Sequence, residues 1–178
     1  MCTDKNSGPS RTVRLSISGK QTDPEGNTQE NTALHHAICT ADGGGWLFTY
    51  MENGIPARLY ISRSLAWMER GDLHREGSSS RTEPAESLRG SGSSGAGESE
   101  SLRDSGGTRM VFDPALSAAR CMYETPFGRI PMLIRTEGIA LLGGKKQAAP
   151  FRLTARIRYT LRMDPDYTLT CAVTIRAV

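Results

Sequence analysis

Four arginines, Arg152, Arg156, Arg158 and Arg162, share one parity in a stretch that alternates polar and apolar residues. On an extended strand they project from one face, with Arg156 and Arg158 about 7 Å apart, and each guanidinium offers a planar fork of donors suited to phosphate or carboxylate. RNA or an acidic protein could lie along such a row, and Arg135, Lys145 and Lys146 add basic charge nearby. The plainer reading is a solvated sheet face whose arginines pair with carboxylates on neighbouring strands. Aromatic residues make up 6% of the chain and no RNP-like motif is present, which weighs against single-strand recognition by base stacking.

A second group is aromatic. Trp46, Phe48, Tyr50, Trp67, Phe127, Tyr159 and Tyr167 could line the interior of a β-barrel and hold a small molecule, or could fill that interior as core. A barrel of about eight strands is just wide enough for either.

Metal and nucleophile chemistry find less support. His35 and His36 are adjacent, so a strand sends them to opposite faces, and no HExxH or clustered ligand set accompanies them. His74 falls in a Ser/Gly-rich stretch. No metal site or cofactor is expected. The cysteines, Cys2, Cys39, Cys121 and Cys171, form no CxxC pair, and buried reduced thiols are the expected state. Cys39 or Cys121 facing His35 or His36 across a barrel would allow a small hydrolase, although nothing in the sequence selects that arrangement. Gly138 to Lys146 has the wrong glycine-to-lysine spacing for a P-loop and lacks the following Ser or Thr.

The elements that must position these residues are strands. Phe151, Leu153, Ala155, Ile157, Tyr159 and Leu161 alternate with the arginine row, Asp164-Pro165-Asp166 supplies a turn, and Tyr167, Leu169, Cys171, Val173 and Ile175 resume the apolar row. This pattern predicts an antiparallel hairpin with one buried and one wet face. Earlier strands are predicted over Val13–Ser18, Asn31–Thr40 and the Trp46/Phe48/Tyr50 run, with Arg58–Arg63 and Ser64–Arg70 as two more strands or one long bent one. Asn53-Gly54 is a type I′ hairpin signal. Further on, Arg109–Phe112, Ala118–Glu124, Ile130–Arg135 and Gly138–Leu142 read as short strands. With no helical pattern and many edges to hide, the expected fold is all-β: one closed antiparallel barrel of about 8 to 10 strands.

Length and composition set the remaining bounds. The 178 residues suit one domain, expected over 11–178 behind a flexible arm at 1–10. Residues 71–107 are rich in Ser, Gly, Glu and Arg with almost no aliphatic content, and read as a disordered insertion between two strands that should lie side by side. That insertion carries four arginines against seven acids; with a net charge of +3 overall, 18 basic and 12 acidic residues leave the remainder at +6. The opening residues are polar, without the apolar core of a signal peptide, and no apolar run approaches the ~20 residues of a membrane span. A cytoplasmic location without membrane contact is the expectation.

Arg109-Met110-Val111-Phe112 followed by Tyr123-Glu124-Thr125-Pro126-Phe127-Gly128 resembles the central signature of the YwiB-like proteins, small bacterial proteins of unassigned function. A VRLSISGKQ strand, a WLFTYMENG strand and turn, and the closing alternating hairpin occur in the same order. The resemblance implies a calycin-like, lipocalin-like barrel and brings no catalytic or ligand residues with it; residues 71–107 are an addition to the pattern. Together these readings point to a non-catalytic binding protein for a small molecule or an anionic partner. The alternatives are an RNA- or protein-interaction module using the Arg152/Arg156/Arg158/Arg162 face, and a small hydrolase.

Overall fold

The computed structural model describes residues 10–71, 107–125, 128–145, 150–164 and 167–178. Ten strands follow one another: β1 Arg11–Thr22, β2 Thr28–Asp42, β3 Gly45–Glu52, β4 Ile55–Ile61, β5 Ala66–Gly71, β6 Gly107–Phe112, β7 Ala119–Thr125, β8 Gly128–Gly143, β9 Leu153–Asp164 and β10 Tyr167–Ala177. All ladders are antiparallel, in the order β6-β5-β4-β3-β2-β1-β10-β9-β8-β7. The two end strands, β6 and β7, lie against each other, so the sheet curls into a nearly closed barrel.

Period-two patterning decides which side chains enter the barrel. On β9 the apolar row is buried and the arginines exposed, and the register Leu161↔Leu169, Tyr159↔Cys171, Ile157↔Val173 and Ala155↔Ile175 gives the expected hairpin. Leu15, Phe48, Ile61, Ile134, Leu153 and Ile157 are fully buried in the shared core. Truncating such a side chain costs about 3–5 kcal/mol for Phe and 2–5 for Leu or Ile. The Asn53-Gly54 turn has φ of 51° and 80°, the left-handed pair a type I′ hairpin needs.

Two sequence expectations change in detail. Ile130–Arg135 and Gly138–Leu142 belong to one 16-residue strand, β8, whose register shifts between Thr136 and Gly138. The extra residue, Glu137, reverses the parity, so Ile134 and Thr136 face inward before it, and Ile139 and Leu141 pack on the core after it. The insertion expected over 71–107 loses its two end residues to the sheet: Gly71 at the end of β5 pairs with Gly107 at the start of β6. Residues 72–106 and the arm at 1–9 lie outside the described residues.

Candidate functional site

The arginine row on β9 becomes part of a wider surface once the neighbouring strands are known. Outward positions of β1, β10, β9 and β8 align in rows set by the ladders. Ser16, Arg176, Thr154 and Leu142 form one row; Ser18, Thr174, Arg156 and Ala140 the next; Lys20, Ala172, Arg158 and Gly138 a third. Thr22, Thr170, Thr160 and Arg135 follow, and Thr168, Arg162 and Leu133 close the series. At the other end Arg14 exchanges backbone hydrogen bonds with Val178 at 2.7 and 3.0 Å, and Arg152 precedes β9 on the far side.

Seven arginines thus occupy this face, at 14, 135, 152, 156, 158, 162 and 176, and all are exposed. Small hydroxyl or apolar side chains separate them. Among the described residues no side-chain carboxylate lies within 4.0 Å of any of the seven guanidiniums. The bordering acids among the described side chains include Glu30, held by Lys20 at 3.1 Å, and Glu137 on the bulge. The pairing with carboxylates on neighbouring strands that a plain solvated face would show is therefore missing among the described residues.

Where β1 passes beyond Val178, the face opens into a cleft of about 680 Å³ between Arg11–Arg14 and Pro150–Thr154. Val13, Phe151 and Leu153 give it an apolar floor, while Arg14, Arg152 and Arg176 stand around it. Arg11 lies across the floor with its guanidinium carbon 4.8 Å from the Phe151 ring centroid, and Phe151 packs edge-on against Trp46 at 4.9 Å. Arg152 is placed by its backbone: its carbonyl accepts from Gly144 N–H at 2.8 Å. Gly143 and Gly144 have φ of 78° and 71°, and a Cβ on Gly143 would run into the Arg152 carbonyl. Gly143 and Gly144 thus end β8 with their backbone against that of Arg152.

The aromatic group divides. Trp46, Phe48, Tyr50 and Tyr159 are buried inside the barrel, where Phe112 packs on Tyr159 at 4.8 Å and His35 on Tyr50 at 4.7 Å. Trp67 does not join them. It lies on the outer face of β5, stacked on Tyr60 of β4 at 5.8 Å, with the Arg109 guanidinium 5.3 Å away. Ala66 and Met68 take the inward places, because Ala66 pairs with inward Ile61 and Met68 with inward Leu59. Tyr167 is also outside, 42% exposed beside the irregularity that starts β10. Phe127 and Lys146 lie outside the described residues.

One mouth of the barrel carries a polar group that the sequence reading passed over. Tyr50, Ala57 and Arg70 share an inward row; Arg70 Nε sits 3.5 Å from Glu52, and Tyr50 O–H points to Met68 Sδ at 3.9 Å. Burial pushes the Tyr50 hydroxyl up to about 12, the Glu52 charge adding to the effect and Arg70 opposing it.

The thiols are poorly placed for nucleophilic work. Burial pushes Cys39 and Cys121 up to about 11 and raises Cys171 as well, so all three are protonated at neutral pH. His35 and His36 project to opposite sides, His35 onto Tyr50 and His36 to solvent opposite Arg14. Among the described residues no group of three His, Cys, Asp or Glu side chains could hold a metal ion.

With this geometry in place, comparison with known proteins bears on the fold. The crystal structure of the ywiB protein from Bacillus subtilis superposes with a TM-score of 0.58, covering 93% of this chain and 91% of that one at 12% sequence identity. The barrel is that protein's fold. At this identity the likeness extends to the fold alone. No family model matches the chain, and no curated protein matches it. Among the described residues no helix is long and apolar enough to cross a membrane.

Proposed function

We propose that the protein is a non-catalytic binding protein whose outer face on β1, β10, β9 and β8 holds a polyanion. The observation that supports the reading is the set of seven exposed arginines, separated by Ser, Thr, Gly and Ala, with no side-chain carboxylate within 4.0 Å of them among the described residues. Seven like charges on one face repel one another, a cost that an anionic partner relieves. Each guanidinium can meet phosphate, sulfate or carboxylate in a bidentate fork. Burial, which raises the Cys39 and Cys121 thiols, speaks against either as a nucleophile.

The test is fluorescence anisotropy with a labelled heparin oligosaccharide, a generic polyanion. Wild type binds at low salt and weakens steeply as salt rises, through release of condensed counterions. Replacing Arg156 and Arg158 together by Gln weakens binding at least tenfold while leaving the melting temperature in place. Affinity that ignores both salt and the double substitution would refute the reading.

A second reading, a small anionic ligand, draws on the barrel mouth, where Arg70, Tyr50 and His35 converge beside partly buried Met68. It predicts that Arg70→Gln abolishes uptake of a labelled fatty acid or aryl carboxylate that the arginine-face variants still bind. Equal uptake by Arg70→Gln would remove it.

A further inference from the structure

Building on the polyanion reading, we infer that the partner is a nucleic acid duplex, gripped along its phosphate backbones without regard to sequence. Three observations narrow the polyanion to this class. First, the outward rows of β1, β10, β9 and β8 contain no aromatic side chain; Phe151 is buried in the cleft floor under Arg11, and Tyr167 stands beyond the last row at the hairpin end. Single strands are held by bases stacking on aromatic platforms, and this face offers none. The stacked aromatic pair that does exist outside the barrel, Tyr60 and Trp67, lies on β4 and β5, away from these four strands in the sheet order.

Second, the positions between the arginines carry little bulk. Ser16, Ser18, Thr154, Thr174, Ala172 and Gly138 leave the strand backbones open to close approach, and their hydroxyls can donate to phosphate oxygens beside the guanidiniums. A protein partner would call for the aromatic and Met anchors that dominate protein interfaces. The large apolar side chains in these rows, Leu133, Leu142 and Val178, are confined to the margin strand β8 and the cleft end. A wet, polar, strongly positive surface is instead the usual make-up of a nucleic acid interface.

Third, the dimensions fit. From Arg152 to Arg162 a strand runs about 34 Å at about 3.4 Å per residue, and four strands span about 14 Å. That length is close to one turn of a double helix, about 34–36 Å. A row of that length can meet the phosphate backbones wherever they face the protein along one turn, and none of the arginines is needed to read base edges.

The experiment uses the full chain with labelled duplexes of about 20 base pairs, roughly two turns, as RNA and as DNA, each in two unrelated sequences. The single strand of the same length, heparin and poly-glutamate serve as comparators. The expected result is duplex binding at least tenfold tighter than single strand, within about twofold between sequences. For about six phosphate contacts it falls about a thousandfold between roughly 50 and 200 mM salt. Arg156→Gln should lower the salt slope by about one contact, and the RNA and DNA arms identify which duplex is preferred. Single strand binding as tightly as duplex, or a sequence preference above about tenfold, would overturn the inference. If heparin or poly-glutamate binds and no duplex does, the inference falls while the polyanion reading stands. If nothing binds, both fall.

Discussion

Two outer faces of this barrel carry arginine, and they use it differently. On β4, β5 and β6 the arginines are engaged within the protein: Arg58 meets Glu69 at 2.6 Å, and Arg58 and Arg109 both lie against Trp67, itself stacked on Tyr60. On β8, β9, β10 and β1 the arginines stand among Ser, Thr, Gly and Ala with no side-chain carboxylate in reach among the described residues. The first face stabilises the sheet locally, whereas the second leaves its guanidiniums without a side-chain carboxylate partner among the described residues.

The sharpest way to break this comparison is to exchange charge on each face. Arg156→Glu with Arg158→Glu should cut heparin affinity by about a hundredfold or more at low salt, because each reversal removes a contact and adds a repulsion. Arg58→Gln should leave that affinity within about twofold. Equal losses on the two faces, read by anisotropy, would erase the distinction.

Stability should respond in the opposite sense. Trp67→Ala, which removes the Tyr60 stack and the contacts with Arg58 and Arg109, is expected to lower the unfolding free energy by about 2 kcal/mol in urea. Arg156→Ala should stay within about 0.5 kcal/mol of wild type. A smaller contrast is expected among ion pairs: Glu69→Gln should cost about 1 kcal/mol, since its partner Arg58 is partly buried and has an Nε without a hydrogen bond, while Lys20→Gln opposite exposed Glu30 should cost less than about 0.5.

The core beneath both faces gives a pH prediction that should not tell them apart. Cys39 and Cys121 have folded values near 11 against an ordinary 9, so the unfolded chain loses those protons first. Stability from this source is full below about pH 9 and is lost as pH rises toward 11. The melting temperature should fall modestly over that window in wild type and should fall less in Cys39→Ala relative to its own value at pH 8.

Much of the barrel was legible because alternation in a half-buried antiparallel sheet is a direct record of inside and outside. The β9–β10 hairpin, the Asn53-Gly54 turn and the pairing of strands across residues 72–106 all followed from local pattern. Glu137 defeats that pattern, since one extra residue flips every later position on β8. Trp67 was expected inside because it is large and apolar, but its strand gives the inward places to Ala66 and Met68; the clue available was Glu69, two residues on and of the same parity. The full extent of the arginine face was hidden for a different reason. Arg14 alternates outward beside buried Val13 and Leu15, and Arg176 follows Thr174, yet only the pairing of β1 with β10 brings them beside the β9 row.

The most direct test of the central claim is arginine side-chain NMR, following the Nε–Hε resonances as a heparin oligosaccharide is added. The account predicts shifts concentrated at Arg152, Arg156, Arg158, Arg162 and Arg176, with Arg58 and Arg109 unmoved. Shifts at Arg58 and Arg109 with the β9 arginines unchanged would contradict it.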